Sequence, residues 1–103
     1  MQNQLQLSRS TVSYDALSDI DETFDLSDEQ FLFSLKEDIL QITCPSLGLL
    51  LDVGWYPEFN PRGQFRIYLI RDENWDQPLE DATAKNLTQL FDALATIIER
   101  HAL

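Results

Sequence analysis

The sequence is poor in the residues that most often build disulfides, metal sites and catalytic centres. Its 103 residues include one cysteine, Cys44, and one histidine, His101. A single cysteine rules out an internal disulfide and favours a reducing, cytoplasmic setting. One cysteine and one histidine far apart are also a weak basis for a metal site, because structural zinc needs about four ligands. We expect neither a bound metal nor a cofactor.

Glycine is also scarce, and the three glycines of the chain are widely separated. This spacing excludes a glycine-rich phosphate loop. The acidic stretch that starts at Asp19 carries oxygens at alternating positions, as a calcium loop does. The glycine and glutamate that such a loop requires are replaced here by Phe24 and Gln30. We therefore expect no catalytic residues and no calcium site, and a protein that is not an enzyme.

Basic residues are few: seven Lys and Arg stand against 18 Asp and Glu, giving a formal net charge of -11. The stretch from Asp15 to Glu29 holds seven carboxylates and no Lys or Arg. This surplus repels nucleic acid and anionic membranes and speeds encounter with a positively charged protein. No apolar run approaches the roughly 18 residues that span a bilayer, and the start lacks a signal-peptide pattern. A basic protein is the expected partner.

The length fits one domain, preceded by a segment of different polarity. Residues 1–23 are rich in Ser and Asp and have no sustained hydrophobic period, which predicts a polar acidic arm. Because Leu5 and Leu7 alternate with polar residues, the arm is either flexible or an edge strand. Residues 24–103 are expected to form a single α+β domain.

The first predicted helix spans about residues 28–42. Ser27 and Gln30 form a capping-box pattern at its start. Apolar residues then follow at helical spacing: Leu32, Leu35, Ile39 and Ile42. Pro45 ends the helix, because the residue before a proline is disfavoured in the α conformation.

Two runs with a period of two, at about 49–56 and 65–70, predict a β-hairpin. Between them, Asn60-Pro61-Arg62-Gly63 has the residue preferences of a type I turn. Both faces of this hairpin carry large apolar residues, which is unusual for a ribbon with one face in water. Either helices cover both faces, or one face belongs partly to a partner. That second face bears Leu50, Tyr56, Tyr68 and Ile70.

Residues 77–82 are predicted to return as a short third strand, and the clearest pattern of the chain follows it. Apolar residues between positions 87 and 98 mark one face of an amphipathic helix. Asp81 or Thr83 is expected to cap its start. The predicted fold is an α+β domain with the order α-β-β-β-α, in which two amphipathic helices pack on an antiparallel sheet built on the central hairpin.

Aromatic residues within an acidic rim are typical of a protein interface with a basic surface. We expect Tyr56 and Trp75 to bind the partner. The carboxylates expected to act with them are Glu58, Asp72, Glu73 and Asp76 near the hairpin, and Asp19, Asp21, Glu22 and Asp25 in the acidic run. The alternative is that aromatic residues such as Trp55 and Phe59 fill the core and the acids only solvate the surface.

Residues 51–70 resemble the hairpin of some small bacterial immunity proteins, through Gly54-Trp55-Tyr56-Pro57 and the turn at Asn60–Gly63. Trp75-Asp-Gln-Pro-Leu79 and the helix after it are similar as well, so the resemblance covers residues 51–98. Such proteins neutralise toxins of contact-dependent growth inhibition and related polymorphic toxin systems, many of them basic nucleases. The resemblance implies that this chain binds a toxin domain and covers its active site.

Two other classes remain open. Type III secretion chaperones are also small, acidic α+β proteins, and they dimerise while holding a client effector. A non-catalytic adaptor subunit is the third possibility. The sequence does not decide between a monomer and a dimer. A neighbouring gene for a large toxin favours the immunity hypothesis, and one for a secreted effector favours the chaperone.

Overall fold

The computed structural model describes residue 5 and residues 7–103, and its centre is a five-stranded antiparallel sheet. The strands lie in chain order across the sheet: β1 (Thr11–Asp15), β2 (Leu40–Cys44), β3 (Leu49–Tyr56), β4 (Gln64–Arg71) and β5 (Glu80–Ala84). The two α-helices are the single turn α1 (Glu29–Leu32) and the longer α2 (Leu87–His101). Each strand therefore pairs with its neighbours in sequence, which is the commoner arrangement in sheets.

The predicted hairpin is present as β3 and β4. Its pairing runs from Leu49 opposite Arg71 to Tyr56 opposite Gln64. In the connecting loop, the amide of Gly63 donates to the carbonyl oxygen of Asn60 at 3.0 Å. This bond joins the first and fourth residues of the predicted turn, so the local turn chemistry is retained in the fold.

The prediction of a helix at residues 28–42 is wrong. Helix α1 ends after one turn, and the last part of the segment forms strand β2 between β1 and β3. Ile39 and Ile42 are buried, as the helical stripe requires, but Leu40 and Cys44 are buried too. In Leu40–Cys44 the buried residues alternate with half-buried ones, which is the period of a strand. A short apolar segment satisfies both periods, and pairing with β3 decides between them.

The predicted order α-β-β-β-α with two amphipathic helices is therefore wrong. The observed order is β-α-β-β-β-β-α, and α2 is the one long helix in the part of the chain that the structure describes. The start of α1 differs as well, because Asp28 Oδ1 accepts a hydrogen bond from the Gln30 amide at 3.0 Å. Ser27, the predicted cap, instead donates its hydroxyl to Asp25 Oδ1 at 2.6 Å.

The last strand and the start of α2 are displaced from their predicted positions. The strand spans Glu80–Ala84 instead of 77–82, so Asp81 and Thr83 lie within it. Both are paired with β4 and are not free to cap a helix. The side chain of Asn86 caps α2 by accepting a hydrogen bond from the Gln89 amide at 2.9 Å.

One face of the sheet carries the hydrophobic core. Trp55 and Phe65, on the paired strands β3 and β4, are fully buried, with ring centroids 4.9 Å apart. Helix α2 covers this face with four buried residues, Leu90, Leu94, Ile97 and Ile98. The segment before β2 covers another part of the same face through Phe24, whose ring lies 5.8 Å from that of Trp55. Both described helices therefore pack on the same face.

Part of the predicted N-terminal arm belongs to this fold. Thr11–Asp15 form the edge strand β1, and Leu17 and Ile20 are buried in the core. Leu5 and Leu7 pack against the same core. Residues 1–4 and 6 of the arm lie outside the described residues.

Candidate protein-binding surfaces

Neither α1 nor α2 packs on the second face of the sheet. Residues directly paired across all five strands form a row on this face: Tyr14, Gln41, Asp52, Tyr68 and Asp81. Tyrosines with hydroxyl groups at the surface and apolar rings beneath are common at protein interfaces. We call this surface the open face. Its apolar residues Leu50 and Ile70 are those that the sequence placed on a second, unexplained side of the hairpin.

Asp52 is a buried carboxylate at the centre of the open face. Its side chain is 5% exposed, and Gln41 Nε2 donates to its Oδ1 at 3.2 Å. Burial raises the pKa of Asp52; the hydrogen bond from Gln41 opposes this rise, and the nearby charge of Asp38 adds to it. The carboxylate thus stays protonated to a higher pH than an ordinary aspartate.

The open face also carries a cation, Arg66, which is already neutralised. Its Nη2 donates to both carboxylate oxygens of Asp81, at 2.9 and 3.0 Å. This hydrogen bond is the main reason that the pKa of Arg66 is raised. The guanidinium carbon also lies 5.1 Å from the centroid of the Tyr68 ring, a cation–π distance. The pair leaves this part of the face with little net charge.

The first group of predicted binding residues lies at the turn end of the hairpin. Tyr56 is half-buried, and its hydroxyl donates to the carbonyl oxygen of Glu37 at 3.5 Å. The amide of Glu37 in turn donates to Glu58 Oε2 at 3.3 Å. Gly54 allows this approach, because a Cβ there would collide with the same Glu37 carbonyl oxygen. Burial, and then the charges of Asp52 and Glu37, raises the pKa of Tyr56, so its hydroxyl remains a donor.

Phe33 is a surface residue of this end that was not among the predicted binding residues. Its ring is 65% exposed and lies 5.8 Å from that of Phe59, which is 39% exposed. In the predicted helix, Phe33 lies outside the apolar stripe that contains Leu32 and Leu35. That position was a signal of exposure. The alternative prediction that Phe59 fills the core is wrong, because its side chain is exposed.

The second group of predicted residues lies at the opposite end of the sheet. Asp72, Glu73, Trp75 and Asp76 follow strand β4 and are all exposed. Asp72 and Glu73 border a depression of about 500 Å³ beside Leu50 and Ile70. Seven strand positions separate this end from Tyr56, or about 24 Å at ~3.4 Å per residue. These two groups of predicted residues therefore lie at opposite ends of the sheet.

The third group lies in the acidic run, on the layer that covers the core. Asp19, Asp21, Glu22 and Asp25 are exposed. Asp21 Oδ1 accepts hydrogen bonds from the amide and hydroxyl of Thr23, at 3.0 and 3.1 Å. Asp25 makes the same pair of bonds with Ser27, which lower its pKa. These aspartates thus stabilise consecutive turns of the segment, which is a structural reason for part of the acidic composition.

The charge surplus lies at the surface of the molecule. All but two of the 18 acidic residues are exposed, and the exceptions are Asp52 and Glu80. Glu80 accepts hydrogen bonds from Arg100 at 2.6 Å and from His101 at 2.7 Å. His101, then Arg100, lowers the pKa of Glu80. The one histidine of the chain thus contacts a carboxylate that joins β5 to the end of α2.

The described residues contain no group of three or more His, Cys, Asp or Glu side chains arranged to hold a metal ion. None of the helices described is long and apolar enough to cross a membrane. Comparisons of the chain with protein-family models, curated proteins and solved structures gave no match.

Proposed function

We propose that this chain is an immunity protein that binds a basic bacterial toxin domain, such as a nuclease, and neutralises it by covering the active site. The observation that carries the proposal is the charge distribution. Sixteen carboxylates are exposed, against seven Lys and Arg in all. Two of those seven, Arg66 and Arg100, are held in ion pairs within the molecule. The remaining negative field favours a partner whose own surface is positive.

A nuclease is a suitable partner on physical grounds. Its active site must attract phosphates, so the cleft and its surroundings carry positive charge. Carboxylates on a folded domain compete for the same cleft, and the ordered scaffold limits the entropy lost on binding. The resemblance of residues 51–98 to immunity proteins agrees with this choice. In this role the chain binds without catalysing a reaction, and it acts in the cytoplasm, where Cys44 stays reduced.

The proposal predicts that a gene next to that of this chain encodes a toxin domain, and the test uses that domain; the absence of such a gene contradicts the proposal. That domain is purified, and its activity is measured with increasing amounts of this protein. We expect loss of activity at a one-to-one ratio. The association rate should fall by on the order of 10-fold or more between about 0.03 M and 0.5 M NaCl, because salt screens electrostatic steering. An unchanged rate, or full toxin activity at saturation, contradicts the proposal.

The same experiment separates this proposal from the secretion chaperone. A secretion chaperone keeps its client unfolded. The bound partner would therefore lack the circular dichroism and cooperative melting of a folded protein. A toxin inhibited by an immunity protein keeps both in the complex. An adaptor subunit would bind a neighbour-encoded protein without lowering its activity.

A further inference from the structure

Phe33 and Phe59 are both exposed, and their aromatic rings contact each other. Their rings meet edge to face, with centroids 5.8 Å apart. Single exposed hydrophobic residues are common on protein surfaces and need no explanation. Two adjacent aromatic rings are a larger apolar surface, of the kind found at the centres of interfaces. We call this pair the phenylalanine patch.

The backbone that presents the patch is firmly held. Phe59 has a φ of +63°, which is a genuine outlier for a bulky residue. Its amide donates to the Leu35 carbonyl oxygen at 2.8 Å. Next to it, the indole nitrogen of Trp55 donates to the Asn60 carbonyl oxygen at 2.7 Å, which ties the loop to the core. These two hydrogen bonds fix the position of the loop from which the Phe59 ring projects.

The charges beside the patch favour a basic partner. Glu37 and Glu58 are hydrogen-bonded to each other next to Phe59, and Asp38 follows in sequence. Residues 33–38 and 56–62, which surround the patch, also contain Lys36 and Arg62. The three carboxylates exceed these two basic residues by one. A second copy of this chain would bring a further charge of -11 to the contact, which disfavours self-association. A basic protein surface has the complementary charge.

We propose that the phenylalanine patch is the centre of the binding surface, and that it receives an arginine-bearing segment of the toxin domain. A guanidinium group stacks well on an aromatic ring and binds carboxylates with two hydrogen bonds. The rings of Phe33 and Phe59 offer the stacking surface, and Glu58 offers the carboxylate. This inference rests on the proposed function, and it places the interface at the turn end of the hairpin, away from Trp75.

The first test compares four variants in complex with the neighbour-encoded toxin domain. Phe33→Ala removes one ring, and Phe59→Gly removes the other while relieving the positive φ, so its folding should be unharmed. Each should speed dissociation at least 10-fold. Trp75→Ala probes the rival surface at the other end of the sheet and should have a smaller effect than either patch variant. The matched control is Val12→Ala, which truncates an exposed apolar side chain outside the candidate surfaces and should change dissociation less than 2-fold. If Trp75→Ala has the larger effect, or both patch variants dissociate as the wild type does, the inference is wrong.

A second test needs no toxin. The capped dipeptide acetyl-Arg-Leu-amide is titrated into the ¹⁵N-labelled chain, and amide chemical shifts are followed. We expect the largest shifts at residues 33–37 and 56–60, and their loss in Phe59→Gly. Shifts centred on residues 72–76, or equal at all exposed carboxylates, overturn the choice of surface. Failure of the wild type to inhibit the toxin while the dipeptide binds at the patch would instead reject the proposed function.

Discussion

Asp52 is a single residue on the open face whose buried charge lowers the stability of the folded state. The carboxylate is nearly fully buried, with Gln41 as its hydrogen-bond partner and Leu50 beside it on β3. Burial of an ionised group without a counter-charge is unfavourable, so the pKa rises. A raised carboxyl pKa means that the folded state holds its proton more tightly than the unfolded state. Stability from this residue is therefore greatest at low pH and decreases as the pH rises through the folded-state pKa.

The variant Asp52→Asn should remove this pH dependence. Asparagine keeps an oxygen that accepts from Gln41 but carries no charge. We expect the variant to be more stable than the wild type at pH 7, with a difference that shrinks as the pH falls below the ordinary carboxyl value of 3.8. Urea unfolding at several pH values measures this difference. The variant Asp76→Asn, at an exposed position, is the control. Equal stability of Asp52→Asn and wild type at pH 7 would contradict the assignment of Asp52 as a destabilising charge.

Phe33 and Phe59 show that exposure of an aromatic residue depends on more than its type. The sequence contains six phenylalanines. Its period of two placed Phe65 on a strand, but it left open whether Phe59, next to the turn, fills the core. Phe65 lies on β4 opposite Trp55, whereas Phe59 lies in the loop between β3 and β4, where its amide donates to the Leu35 carbonyl oxygen. Neither contact is visible at short sequence separation. The site residues were therefore predictable as a class, aromatic and acidic, but not as a set.

Among the elements, α2 was the most predictable. Its apolar residues recur at helical spacing from Leu87 to Ile98, about three turns, and a pattern of that length leaves little ambiguity. Strand β2 was the least predictable, because the same few residues fit a helical stripe and a strand alternation. Hydrogen bonds to β1 and β3 on both sides decided its structure.

Asn86 provides a direct test of how α2 begins. Its side chain accepts from the Gln89 amide at 2.9 Å, and the side chain of Gln89 accepts from the Lys85 amide at 2.8 Å. Replacement of Asn86 by Ala removes the cap and should lower the free energy of unfolding by about 1 kcal/mol. Asn86→Asp should retain most of it. Thermal or urea unfolding measures both. If Thr83→Ala were the more damaging substitution, the cap would lie where the sequence placed it.

At the scale of the whole molecule, the acidic run has two roles that the sequence does not separate. Its aspartates form local turns and contribute to the negative field, while its apolar residues complete the core. Leu17 and Ile20 lie among the carboxylates in sequence but are buried. The acidic run therefore brings mutually repelling carboxylates into a segment whose apolar residues the core needs.

The variant Ile20→Ala tests whether the acidic run is part of the fold. Ile20 is 2% exposed, so its truncation leaves a cavity in the core. We expect a loss of about 2–5 kcal/mol in the free energy of unfolding. Ser18→Ala, at an exposed position in the same run, should change it by less than about 0.5 kcal/mol. Comparable stability of the two variants would show that the run contributes charge and no packing.

The sequence by itself determined the features that depend on near neighbours. These are the absence of an internal disulfide, the strong negative charge, the hairpin with its Asn60–Gly63 turn, and helix α2. The tertiary structure alone decided that residues 40–44 form a strand, that both helices pack on one face, and that Phe33 meets Phe59. The physical reason is the range of the interactions. Turns and helices are stabilised by residues a few positions apart, whereas sheet pairing and ring contacts join residues that only the folded chain brings together.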